Sequence, residues 1–210
     1  MSELANAIAD LKEDEVKEIV KSRIDSGADP MSIVGECRKG MEIVGERYKN
    51  KEYFLGELIM SGEIFKEAMA TVGPRLKAGQ SAKPIAKMVL GTAKGDIHNI
   101  GKDIVATLLN AAGFEIYDAG IDVAPEVFVN KLKETGASIL GISGLLTPSF
   151  ESMKLTVQAM EAAGLRDKVK IIIGGGIVTE IVRKYVGADA FTDDASEGIA
   201  ICKKLAGVVK

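Results

Sequence analysis

"IAKMVLGTAKGDIHNIGKD", residues 85–103, passes from a short apolar run through a loop punctuated by Gly91, Gly95 and Gly101 into a new helical pattern. The same order recurs to the end of the chain. Strands are expected at 85–92, 114–118 ("FEIYD"), 138–143 ("SILGIS"), 169–174 and in "ADAFT" at 188–192. Helices are expected near 100–112, 125–135, 149–163, 177–185 and 196–207. Short apolar strands alternating with amphipathic helices predict a parallel sheet covered on both faces. In such folds ligands sit beyond the carboxyl ends of the strands, where the strand order reverses. The loop at 95–103 follows the first strand, so it lies at that end.

Upstream the texture differs. In "VKEIVKSRI" (16–24) the apolar residues recur at helical spacing. "GADP" (27–30) stops that helix, and Pro30 suits the first turn of the next. After a break near "NKEYF", a further helix is expected from about Leu55 to Lys77. Four helices with short connections predict a bundle over residues 1–80, followed by a second domain over 81–210. The Gly/Ser/Pro-bearing stretch 78–86 is the expected linker.

Composition removes several function classes. Net charge is −3 and the isoelectric point about 5.4, which disfavours a nucleic-acid partner. Cys37 and Cys202 stand far apart without a CxxC pattern, so neither a disulfide framework nor a zinc site is expected. The N-terminus reads as no signal peptide, and no apolar run reaches the length of a membrane span. A cytoplasmic protein without a membrane partner is expected.

The loop holds the only histidine of the chain, His98. Asp96, two residues earlier, can accept the proton on one ring nitrogen and present the other nitrogen to a metal. One histidine cannot build an ordinary metal site, since zinc takes three or four ligands. A metal here would arrive held by something else, such as a macrocycle with an open axial position. A dinucleotide loop is a weak rival because GxGxxG is absent. A receiver-type domain also places acids at strand ends, but does not explain glycines at the end of the fourth strand.

"DIHNIG" (96–101) resembles the Asp-x-His-x-x-Gly signature of cobalamin-binding domains. "SGL" (143–145) and "GGG" (174–176) resemble the Ser-x-Leu and Gly-Gly elements that accompany it, in the same order and at the family's spacing. "SGLLTPS" (143–149) is similar to the cobalamin domain of methionine synthase, and "YFLGELIMSG" (53–62) to the end of its helical cap. Gly56 departs from the proline frequent there. In size and domain order the chain resembles the free-standing corrinoid methyl-carrier proteins of methanogens and acetogens.

That resemblance implies an N-terminal four-helix cap and a Rossmann-like, flavodoxin-like, five-stranded cobalamin-binding domain. It implies that His98 is the lower axial ligand of cobalt, with Asp96 and then Ser149 forming a relay behind it. Ser143, Leu145 and Thr147 would line the channel for the nucleotide tail, Gly174 and Gly175 would leave room for it, and Ala195 would lie near its far end. Gly95, Ile97, Asn99 and Gly101 would meet the corrin, and Phe54 and Met60 would face the methyl group. Cobalt would cycle between Co(I) and methyl-Co(III). The implied partners are a substrate-specific methyltransferase, a second methyltransferase to tetrahydrofolate or a thiol, and a reductive activator. Methanol, methylamines, betaines and aryl methyl ethers all feed such carriers. Two other readings share the cobalamin motif. A mutase subunit needs a barrel of roughly 250 residues, and a cobalamin-sensing regulator needs a nucleic-acid or signalling module.

Overall fold

The computed structural model describes residues 2–76 and 83–208. Residues 78–82, most of the expected linker, and Lys77, the expected end of the fourth helix, lie outside the described residues. The chain divides into two compact units, Met1–Lys83 and Pro84–Lys210.

The first unit holds α1 (Glu3–Ala9), α2 (Glu13–Asp25), α3 (Pro30–Lys49) and α4 (Leu55–Leu76). Local chemistry sets the helix starts. The Asp29 carboxylate accepts from the amides of Met31 (3.1 Å) and Ser32 (3.2 Å), with Pro30 in the first turn of α3. Before α4, the Glu57 side chain reaches back to accept from the Phe54 amide at 2.9 Å. The apolar stripes of all four helices meet in a core that includes Leu4, Ile8, Val20, Ile33, Val44 and Phe65. Gly40 sets the approach of α3 to α1, since a Cβ there would stand 2.7 Å from Ile8 Cβ.

The second unit alternates β1 (Lys87–Ala93), α5 (Ile100–Ala111), β2 (Glu115–Val123), α6 (Pro125–Thr135), β3 (Ile139–Ser143), α7 (Ser149–Ala162), β4 (Lys170–Gly174), α8 (Glu180–Val186), β5 (Ala190–Thr192) and α9 (Ala195–Leu205). All strand pairs are parallel, in the order β2-β1-β3-β4-β5. The order reverses between β1 and β3, which is where this topology opens a crevice. Side chains alternate across the sheet. Met88, Leu90, Ile139 and Ile172 pack with α5 and α9; Val89, Leu140, Ile171 and Ile173 pack with α6, α7 and α8.

Two boundaries differ from the sequence expectation by three residues or more. β2 runs five residues past Asp118, with irregular register against β1 and positive φ at Gly120 and Asp122. α8 begins at Glu180 rather than 177, because the Thr179 hydroxyl caps it by accepting from the Val182 amide at 3.3 Å.

Candidate functional site

β1 ends at Ala93, and the chain turns at once. Gly95 adopts φ +86°, a conformation open to glycine, and its amide donates to Asp122 at 2.7 Å. That turn drives Asp96 inward until its side chain is fully buried. The carboxylate is saturated with donors. Oδ1 accepts from the His98 amide at 2.9 Å and from His98 Nδ1 at 2.8 Å. Oδ2 accepts from the amides of Leu145 (2.6 Å) and Leu146 (3.0 Å), in the loop after β3. Asp96 therefore bridges the crevice between β1 and β3 with one side chain.

A carboxylate only accepts, so the shared proton resides on Nδ1 and Nε2 carries the free lone pair. The imidazole itself is half exposed. Among the described residues no group of three His, Cys, Asp or Glu could hold a metal ion. His98 thus offers one nitrogen, and a metal's other ligands must come with it.

Burial pushes the Asp96 carboxyl up, but the donors from His98, Leu145 and Leu146 outweigh it and hold it below the usual carboxylate range. The folded pKa lies below the unfolded one of about 3.9. Its stabilisation is therefore complete above that value and is lost as pH falls through the lower folded pKa. We expect Asp96→Asn to be less stable than the parent by a constant margin from pH 5 to 8. The margin should shrink below about pH 4. Urea unfolding across that range measures it, and a margin that stays constant down to pH 2.5 would remove the assignment.

Beside this loop a cavity of about 160 Å³ opens between the sheet and helices α5 and α9. On this face of β3 and β4 the residues run Ile139, Gly141, Ser143 and Ile172, Gly174, all but Ile139 lining the cavity, so bulk falls away toward the carboxyl ends. A Cβ at Gly174 would meet nothing nearer than Thr192 O at 3.6 Å. The protein's own packing does not demand glycine there; the absent side chain keeps the cavity open.

The residues singled out in the sequence fall into distinct places. Gly101, Ser143, Gly174, Gly175 and Ala195 line the cavity. Ile97 and Leu145 are exposed around His98, and Asn99 is turned to Asp103, donating to it at 2.9 Å. Thr147 is exposed and is not part of the cavity wall. Ser149 is buried, but its hydroxyl donates to Leu146 O at 2.6 Å and makes no bond to Asp96. The expected three-membered relay is a pair in this structure, because two backbone amides already occupy Asp96 Oδ2. Gly175 has a reason of its own: at φ +137° its Cβ would overlap the Gly144 carbonyl oxygen. Phe54 and Met60 are exposed on the first unit, outside the bundle core. Sequence reasoning missed Ile100, Ile121, Leu146 and Ile177, large apolar residues left in solvent on loops, on a helix start and near the end of β2. Apolar residues of that kind read in sequence as core.

Residues 86–200 match the B12 binding domain family, and residues 2–72 match a second family, also described as a B12 binding domain. A dimethylamine corrinoid protein of Methanosarcina barkeri is 35% identical, over 98% of this chain and 96% of its own. A cobalamin-binding protein from Desulfitobacterium hafniense, solved by crystallography, is 41% identical with a TM-score of 0.78, over 96% of each chain. A chain in the crystal structure of the methanol:cobalamin methyltransferase complex MtaBC from M. barkeri superposes with a TM-score of 0.86 at 25% identity, over 99% of this chain and 79% of that one. With its glycine-carved cavity, its Asp96–His98 pair and these relatives, the chain belongs to the B12-binding corrinoid proteins of methyltransferase systems, and cobalamin is its cofactor.

Proposed function

We propose that this chain carries a methyl group on corrinoid cobalt from a substrate-specific methyltransferase to a second methyltransferase. The observation that carries the reading is the His98 ring, held through Nδ1 by buried Asp96 with Nε2 free beside the glycine-lined cavity. The residues fit the cofactor: one nitrogen donor, an open cavity for a tail, and apolar side chains exposed around the ring. A bound corrinoid supplies a cobalt that accepts a methyl group and gives it up again.

The protein's own work is to set the nitrogen that would hold the cobalt. Asp96 fixes the tautomer and the orientation of the ring. Methyltransferase partners are supported by the MtaBC match. The names of the relatives span dimethylamine and methanol, so in this reading the docked methyltransferase chooses the donor. The acceptor enzyme, working on tetrahydrofolate or a thiol, and a reductive activator complete the proposed cycle.

Reconstitution with cobalamin tests the reading. One cobalamin per chain is expected, with the cofactor's own base displaced. The paramagnetic resonance of the Co(II) form should show nitrogen hyperfine coupling that changes when histidine is labelled with 15N. Failure to bind cobalamin sinks the proposal.

A further inference from the structure

The cavity is graded in polarity along its depth. Strand register sets the levels. Ser143, Gly174 and Thr192 share the mouth, Leu90, Gly141 and Ile172 the level below, and Met88 lies lower still on β1. On α9, Ala195 and Gly198 stand at the mouth. Cys202 lies two turns further down, roughly 10 Å below Ala195 at the helical rise. The polar side chains of the wall, Lys102 and those of the Thr192–Asp194 corner among them, cluster toward the mouth. The floor is Met88, Leu90, Val105, Ile172 and Cys202.

Lys102 and Thr192 are also committed. Lys102 Nζ lies 2.6 Å from both Asp103 Oδ1 and Asp118 Oδ2. Thr192 Oγ1 bonds Glu197 Oε2 at 2.9 Å and accepts from the Asp194 amide at 3.1 Å. On the floor the one heteroatom besides Met88 sulfur is Cys202 Sγ. Burial pushes that thiol up to about 12, so it keeps its proton and remains a weak donor. The backbone groups at this depth are spent in the parallel ladders.

We infer that this floor selects the nucleotide base of the corrinoid, taking an apolar benzimidazole-type base and discriminating against a purine with an exocyclic amino group. The inference rests on the corrinoid reading above, in which His98 takes the cobalt and leaves the base free to enter the cavity. A benzimidazole buries its apolar edge against Met88, Val105 and Ile172. The amino group and ring nitrogens of adenine would leave water there with no partner to replace it.

The test loads the apo full-length chain with three corrinoids that share one ring: the dimethylbenzimidazole form, the adenine form, and cobinamide, which has no nucleotide. Dissociation constants come from ultrafiltration, and His98 ligation from the nitrogen coupling of the Co(II) form. The dimethylbenzimidazole form should bind at least tenfold more tightly than the adenine form, with the histidine coupling unchanged among all three. Cys202→Asn, which brings a carboxamide to the floor, should narrow that gap. If that variant does not fold, Met88→Gln tests the same point from the sheet. Equal or tighter binding of the adenine form overturns the selection, as does cobinamide binding as tightly as the dimethylbenzimidazole form. In both of those cases intact histidine coupling leaves the carrier reading standing. Failure of all three to bind removes the carrier reading and this inference together.

Discussion

Replacing His98 by Ala should abolish the imidazole nitrogen coupling outright while costing only about 1.5 kcal/mol of stability, the scale of one hydrogen bond to a charged group. The ring is half exposed and its one polar contact among the described residues is to Asp96, so little packing is lost. Some corrinoid should still bind, since the cavity wall is untouched. Asp96→Ala should do the reverse. Three backbone amides, those of His98, Leu145 and Leu146, converge on that buried carboxylate. Removing it strands them at about 1–3 kcal/mol for each donor that water does not reach. A loss of about 3 kcal/mol or more is expected for the set. Urea unfolding of the full chain together with the Co(II) resonance separates the two variants. Equal stability losses would mean that the carboxylate serves the ring alone and does not join the loops.

Gly175→Ala should be as damaging as Asp96→Ala although it changes one methyl group. The Cβ would overlap the Gly144 carbonyl oxygen, a backbone atom with no rotamer to escape into, and φ +137° lies where L side chains are strained. Gly144 is itself tied to β4, its amide donating to Gly174 O at 3.0 Å, and it precedes the Leu145 amide that holds Asp96. Relief must move that loop. A cost of about 3 kcal/mol or more is expected. Gly174→Ala is the control. Its methyl group meets only ordinary contacts, so it should spare the fold and weaken corrinoid binding. If Gly175→Ala unfolds with the parent, the Gly144 contact does not govern this loop.

The alternation of strand and helix was legible because period two and period 3.6 leave different traces, and most elements fall within a few residues of their expected spans. β2 was not legible past Asp118. Gly120 and Asp122 are poor strand residues, and pairing with β1 and the bonds from Lys94 and Gly95 to Asp122 hold them in the sheet. The Asp96–His98 contact was legible because two side chains make it, and Gly174 and Ala195 do line the cavity. The bond of Asp96 to two main-chain amides was not, because an amide has no signature in sequence. Ser149 shows the same limit, since its partner is a carbonyl of its own turn. The glycines of "GGG" looked alike in sequence. The structure separates them: Gly174 keeps a cavity open, and Gly175 makes room for a neighbouring backbone.

The carboxylate of Asp96 finds its last two donors in a loop about fifty positions further along the chain. During synthesis, therefore, the aspartate and histidine emerge well before the amides that complete their setting. Until the third strand has docked beside the first and brought the loop after it to the crevice, Asp96 stays solvated and the imidazole is free to rotate. Corrinoid uptake thus belongs after the sheet has closed, and a nascent or truncated chain that ends before residue 143 carries the signature loop without a preset ligand.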